Sequence, residues 1–170
     1  MLPNALKVVL LLVVVIAAVF DLRWRRVPNW LTASGVLLGI VLNTVFGAWW
    51  SSLEGLGLAL LIYVPLYLLR GMGGGDVKVM AAVGAIAGPG NWLRILFFTL
   101  IFGAVAAIIL ILVKRRVRRT FRNIGLILMS LGSGHAPYAK NPELDVREEK
   151  GLRLPHAVTI ACGAIAFLVL

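Results

Sequence analysis

Two aspartates occupy unusual places in this 170-residue chain. Asp76 follows three consecutive glycines in the segment GMGGGDVK at 71–78, which lies between two strongly apolar stretches, and Asp21 ends the first apolar stretch. An ionised carboxylate beside a hydrocarbon region is costly, so such an acid is either a structural cap or part of a functional site. The structural alternative is an N-cap for Asp76 and, for Asp21, an ion pair with a nearby arginine, which contributes little in water.

Taken together, the two aspartates fit the chemistry of an aspartyl protease. Two carboxyl groups a few ångströms apart hold one proton between them. The ionised member takes a proton from water, which attacks the scissile carbonyl, while the protonated member donates to the carbonyl oxygen. Gly73 and Gly75 lack Cβ atoms, which lets the backbone bend sharply and an extended substrate approach. We therefore expect a site that uses neither a metal nor a cofactor.

The elements that carry these residues are predicted to be membrane helices. The chain is 61% hydrophobic, more than a soluble domain of this size contains. A membrane span needs about 20 mostly apolar residues. We expect a single membrane-embedded domain over 1–170, an all-α bundle of six transmembrane helices. The predicted spans are 4–20, 30–50, 53–69, 77–92, 93–113 and 154–170. The sequence GPGN at 88–91 predicts a turn between the fourth and fifth spans.

Charge placement predicts the orientation of this bundle. With six spans, every Lys and Arg except Lys7 and Arg94 falls on one side, which the positive-inside rule makes cytoplasmic. Both termini are then outside, and the segment 114–153, whose front is basic and amphipathic, lies in the cytoplasm. The formal charge of +10 marks this face and attracts anionic lipid headgroups, so a nucleic-acid partner is not expected.

The two aspartate segments resemble those of the type IV prepilin peptidases, membrane aspartyl proteases with a GxGD motif. The sequence GGGDVK at 73–78 matches the family's GxGDxK, and Asp21 with VPNWLT at 27–32 is similar to its first-aspartate segment. The resemblance implies that Asp21 and Asp76 are the catalytic pair. It also implies an active-site loop or substrate approach formed by Gly73, Gly75, Lys78, Pro28 and Asn29.

Three of these residues also have simpler interpretations. Pro28 and Asn29 are typical of a helix start, with Asn29 as its cap. Lys78 either holds the charge of Asp76 or extends to the lipid headgroups.

The resemblance further implies the substrate and the cellular setting. Such enzymes cut prepilins or pseudopilins at the cytoplasmic face of the bacterial inner membrane and are associated with pilus assembly machinery. Long members carry a cysteine-containing segment linked to methylation of the new N-terminus. This chain has one cysteine and no such segment, so it resembles the short TadV/CpaA-type form of tight-adherence (Flp) pilus systems, with no methyltransferase activity expected. In LPHAVTIACG at 154–163, His156 and Ala157 replace the family's aromatic residue and glycine.

Two other functions remain open from the residues. In a small proton-coupled transporter, Asp21 and Asp76 would carry protons, although transporters usually bind near the membrane midplane and both acids lie at one face. In a non-catalytic scaffold of a pilus or secretion assembly, the basic segment at 114–131 would dock lipid or a partner.

Overall fold

The computed structural model describes residues 2–70, 72–113 and 156–170, and all regular secondary structure in these ranges is helical. The expectation of an all-α fold is confirmed for this part of the chain. The predicted amphipathic segment and loop at 114–153 lie outside the described residues. Five helices are assigned, in chain order α1 Asn4–Trp24, α2 Asn29–Val45, α3 Trp49–Leu68, α4 Gly74–Val113 and α5 His156–Val169.

Three of these helices are long and apolar enough to cross a membrane, namely α1, α3 and α4, while α2 and α5 are shorter apolar helices. The predicted second helix, 30–50, was too long. It ends at Val45 because Gly47 adopts a left-handed backbone conformation, with φ of 72°, and α3 already begins at Trp49. The connection between α2 and α3 is therefore a tight turn around Gly47.

The fourth helix does not run straight. Gly88 has non-helical dihedral angles, φ 73° and ψ 170°, and Pro89 follows it. The indole nitrogen of Trp92 donates a hydrogen bond to the carbonyl of Met80 at 3.1 Å. In a straight helix these two residues would lie about 18 Å apart along the axis. The chain therefore turns back at Gly88, and α4 consists of two segments, α4a (74–87) and α4b (89–113).

This arrangement corrects the predicted spans at 77–92 and 93–113. A single assigned helix covers both, and its first segment already begins at Gly74. The break at Gly88 lies within the predicted turn at 88–91. The count of six separate helices is accordingly not reproduced in the described residues.

The first segment, α4a, forms the centre of the bundle. Its residue Val77 and all its residues from 79 to 87 are buried, as is Gly88 at the break. Helices α1, α2, α3 and α5 all pack against α4. Gly55 of α3 and Gly84 are in close backbone contact, since a Cβ on either glycine would overlap the carbonyl of the other. Small residues allow this kind of close backbone packing between membrane helices.

Polar side chains satisfy the backbone next to the break. Pro89 has no N–H, so the carbonyl of Ala85 has no helical donor. Asn43 of α2 and Ser52 of α3 donate to this oxygen at 3.1 and 2.6 Å, and Asn43 also donates to the carbonyl of Ile86 at 3.2 Å. In a bilayer a backbone oxygen has no water to bond with, so internal donors of this kind make the break tolerable.

Candidate active site

Asp21 lies in the last turn of α1 and is bonded to another helix. Its Oδ2 accepts a hydrogen bond from the backbone N–H of Ala157 at 3.1 Å. Ala157 is the second residue of α5, where the first-turn N–H groups have no partners inside their own helix. A carboxylate is unfavourable at the carboxyl end of α1 but favourable at the amino end of α5. The α5 terminus therefore offsets the cost of placing an acid at the end of α1.

The backbone of α5 and the charge of Arg25 both act on the Asp21 carboxylate. Arg25 is near enough to act electrostatically on the carboxylate. The hydrogen-bond partner of Asp21 is nevertheless the backbone of α5, a contact that the sequence analysis did not predict.

Asp76 occupies the first turn of α4, three residues after Gly73. Its carboxylate accepts a hydrogen bond from the backbone N–H of Gly73. The acid is therefore at the N3 position, where it reaches back to the N-cap N–H as in a capping box. The interpretation of Asp76 as the N-cap itself is wrong, because the helix begins at Gly74. A Cβ on Gly73 would lie only 3.2 Å from Asp76 Oδ2, so glycine gives the carboxylate room at this position.

Asp21 and Asp76 lie at the same end of the bundle. One is near the carboxyl end of α1 and the other near the amino end of the central segment α4a. The two groups are near enough for the charge of Asp21 to act on Asp76. Two carboxyl groups from distant parts of the sequence therefore lie within electrostatic range of each other, and like charges at such range are costly to ionise together.

Lys78 and Asn29, one from each of the two aspartate segments, contact each other. The Lys78 ammonium donates to Asn29 Oδ1 at 2.8 Å. Asn29 is the first residue of α2 and makes no capping hydrogen bond through its side chain, while Pro28 occupies the N-cap position. The expectation that Asn29 caps α2 is therefore wrong.

Gly75 faces the loop between α1 and α2, where a Cβ would lie 3.6 Å from a methyl group of Val27.

Two tyrosines of α3 adjoin the site and were not singled out from the sequence. The ring of Tyr67 lies against the start of α4, since a Cβ on Gly74 would be 3.3 Å from it. Tyr63 is buried, lies within electrostatic range of Asp76 and packs edge-on against Trp92. The i, i+4 spacing of the tyrosines, which puts both on one helix face, was a usable signal.

At the start of α5, the backbone rather than a side chain reaches the site. Ala157 donates its N–H to Asp21, and this contact could not have been predicted from the residue type, because the donor belongs to the backbone. The neighbouring His156 has its Nδ1 at 3.2 Å from the hydroxyl of Thr159, and its Nε2 is buried without a hydrogen-bond partner. Within the described ranges, no group of three or more His, Cys, Asp or Glu residues is arranged to hold a metal ion.

Comparison with known proteins assigns the same segments to one family. The model of a family described as "Type IV leader peptidase family" matches residues 8–109. The match includes both aspartates and extends from the second turn of α1 into α4b, whereas α5 lies beyond it. No curated protein and no solved structure matches the chain.

Proposed function

The chain belongs to the type IV leader peptidase family, as its motifs predicted, and we propose that it is a membrane aspartyl endopeptidase with Asp21 and Asp76 as its catalytic pair. One observation carries the proposal. The two motif aspartates, which stand on different helices, lie at one end of the bundle within electrostatic range of each other. Asp21 receives the N–H of Ala157, and Asp76 receives that of Gly73, so both carboxyl groups are held in place.

In the proposed mechanism the two carboxyl groups share one proton. Asp21, beside the amino end of α5 and near Arg25, is the better placed to carry the negative charge and to accept a proton from the attacking water. Asp76 then donates its proton to the carbonyl oxygen of the scissile bond. As the tetrahedral intermediate collapses, the C–N bond breaks, the proton held by Asp21 passes to the leaving amine, and a hydroxyl of the intermediate returns its proton to Asp76 as the new carboxyl group forms. These two transfers restore the starting state.

The proposed substrates are prepilins or pseudopilins, cut just before the apolar helix that later forms the pilus core. We place the reaction at the cytoplasmic face of the bacterial inner membrane, with the chain as a multi-pass protein. The short TadV/CpaA-like form, a tight-adherence (Flp) pilus context and the lack of methyltransferase activity belong to the same proposal. So do contacts with anionic lipid headgroups and with the pilus assembly machinery.

We also propose that the chain crosses the membrane six times, with both termini outside. The reversal at Gly88 supports this proposal, because it lets α4a and α4b cross in opposite directions. The aspartates then lie on the side where the basic residues concentrate, which is the cytoplasmic side by the positive-inside rule.

The experiment measures whether the purified protein, reconstituted in liposomes, cleaves a synthetic prepilin-like substrate. In this substrate a short basic leader precedes an apolar helix. Asp21→Asn and Asp76→Asn should each abolish cleavage while leaving substrate binding intact, since the amide keeps the shape but cannot share a proton. The double variant should be no worse than either single one, because residues that act as a unit give non-additive losses. Glu54→Gln is the matched control. This acid is exposed near the start of α3, at the other end of the bundle, and its loss should not affect cleavage.

The same preparation separates the alternatives. A proton-coupled transporter would give no cleavage by the parent protein and a proton flux that both Asn variants remove. A scaffold would support pilus assembly with both acids neutralised. Robust cleavage by either single Asn variant would refute the catalytic pair.

A further inference from the structure

The hydrogen bond between Lys78 and Asn29 joins the two sequence segments that carry the aspartates. Lys78 is two residues after Asp76 in the first turns of α4, and Asn29 opens α2 directly after the short connection from α1. The donor–acceptor distance is 2.8 Å, and the bond spans 49 positions of sequence. It therefore links the surroundings of one aspartate to those of the other.

The geometry of α4 makes Lys78 a poor charge partner for Asp76. Residues two apart on an α-helix point about 200° away from each other, so these two side chains leave the helix on opposite sides. The Lys78 side chain extends toward α2, where it meets Asn29. A structural link to α2 therefore explains its position better than stabilisation of the Asp76 charge.

A second contact acts between the same segments. Val27 lies in the connection between α1 and α2, is packed against the core, and faces Gly75 in the first turn of α4. The connection has only four residues, 25–28, and its first member, Arg25, adopts the left-handed conformation with φ of 51°. With so short a connection, fixing Val27 and Asn29 against α4 also restricts where the end of α1, and with it Asp21, can lie.

We propose that Lys78 and Asn29 are positioning residues that, together with the Val27–Gly75 contact, set the spacing of Asp21 and Asp76. This inference rests on the proposed peptidase function. Both side chains are exposed, so their hydrogen bond should contribute little to stability. Its effect should instead appear in the chemical step, because a displacement of about 1 Å in a catalytic group can cost about 100-fold in rate.

The kinetic test uses the liposome assay with a prepilin-like substrate. Asn29→Leu and Lys78→Met should each lower kcat about 10- to 100-fold with little change in KM or in melting temperature. The double variant should resemble the single ones. Asn29→Asp, which keeps an oxygen acceptor for the ammonium, should recover most of the activity lost in Asn29→Leu. Lys7→Met, which removes a lysine from the opposite end of α1, is the control and should cleave like the parent.

The outcomes distinguish failure of this inference from failure of the proposed function. If the parent cleaves and Asn29→Leu cleaves equally well, the positioning role is overturned while the peptidase stands. If Lys78→Met loses activity and Asn29→Leu does not, Lys78 acts through its charge instead. A fall in melting temperature that accounts for the lost activity would reduce the pair to a structural contact.

A second measurement does not depend on cleavage. Spin labels on Leu22→Cys and Met72→Cys, in a Cys162→Ala background, report the distance between the end of α1 and the loop before α4 by pulsed electron paramagnetic resonance. The distance distribution should broaden in the Asn29→Leu and Lys78→Met backgrounds and narrow again with Asn29→Asp. An unchanged distribution in both backgrounds would refute the inference even if the parent protein shows no peptidase activity.

Discussion

Asn43 offers a quantitative test of the chain reversal at Gly88, because its amide joins α2 to the backbone beside the break. The side chain is buried and donates to the carbonyls of Ala85 and Ile86. Ser52 donates to the Ala85 carbonyl as well. Asn43→Leu keeps a side chain of similar size, leaves the Ala85 carbonyl with one donor, and removes the side-chain donor of the Ile86 carbonyl.

The expected loss of stability follows from those contacts. A buried carbonyl left without a donor costs about 1–3 kcal/mol, while hydrogen bonds between membrane helices contribute about 0.6 kcal/mol on average and up to about 1.7. We therefore expect Asn43→Leu to lower the free energy of unfolding by about 1–2 kcal/mol. Ser52→Ala should lower the free energy of unfolding by about 0.6 kcal/mol or less, because Asn43 still donates to the Ala85 carbonyl. The double variant leaves the Ala85 carbonyl without a side-chain donor. Its free energy of unfolding should fall by about 1 kcal/mol more than the sum of the two single effects.

The assay is equilibrium unfolding in mixed micelles, followed by helical circular dichroism. Thr44→Val is the matched control, since Thr44 is exposed on the same helix and its hydroxyl bonds only within α2, to the carbonyl of Ile40. Two results would refute the reasoning. One is an Asn43→Leu variant as stable as the parent, and the other is strict additivity of the Asn43 and Ser52 effects.

Three further predictions concern packing, topology and the acidic residues within 143–149. Gly84→Ala should destabilise the protein by about 1–3 kcal/mol in the same unfolding assay, because its Cβ would overlap the Gly55 carbonyl; normal stability would contradict the close α3–α4 approach. Thiol labelling of Arg26→Cys and Gly47→Cys in membrane vesicles should place the first inside and the second outside, and the reverse result would contradict the orientation. Neutralising the four acids within 143–149 should leave cleavage within a few-fold of the parent, whereas a loss as severe as that of Asp76→Asn would mean that the wrong carboxylates were chosen.

The features that could be predicted from sequence are those set by apolar run length and by residue type. Long apolar stretches require helices in a membrane, because every backbone group must be satisfied internally. Asp21 and Asp76 stand at ends of such stretches that must face the same side, so their location at one end of the bundle followed from counting spans. The family followed from the motif residues around the same aspartates.

The features that could not be predicted depend on tertiary contacts. The sequence GPGN marked a turn but not which residue breaks the helix. The residue type of Trp92 gave no sign that its indole donates to a carbonyl of the preceding segment. Asn29 has the residue type and position of a cap, yet its oxygen is bonded to Lys78. The partner of Asp21 is a backbone N–H, which every residue except proline carries and which therefore leaves no mark in the sequence.

The proximity of Asp21 and Asp76 in the membrane is the most direct test of the account. Asp21→Cys and Asp76→Cys would be combined in a Cys162→Ala background and treated with a short bifunctional reagent that fluoresces only after reacting with two thiols. The account predicts rapid cross-linking of this pair and none when Asp21→Cys is combined with Glu54→Cys, which lies at the other end of the bundle. Absence of cross-linking between positions 21 and 76, with each thiol accessible to a single-site reagent, would contradict the claim that the two aspartates form one catalytic pair.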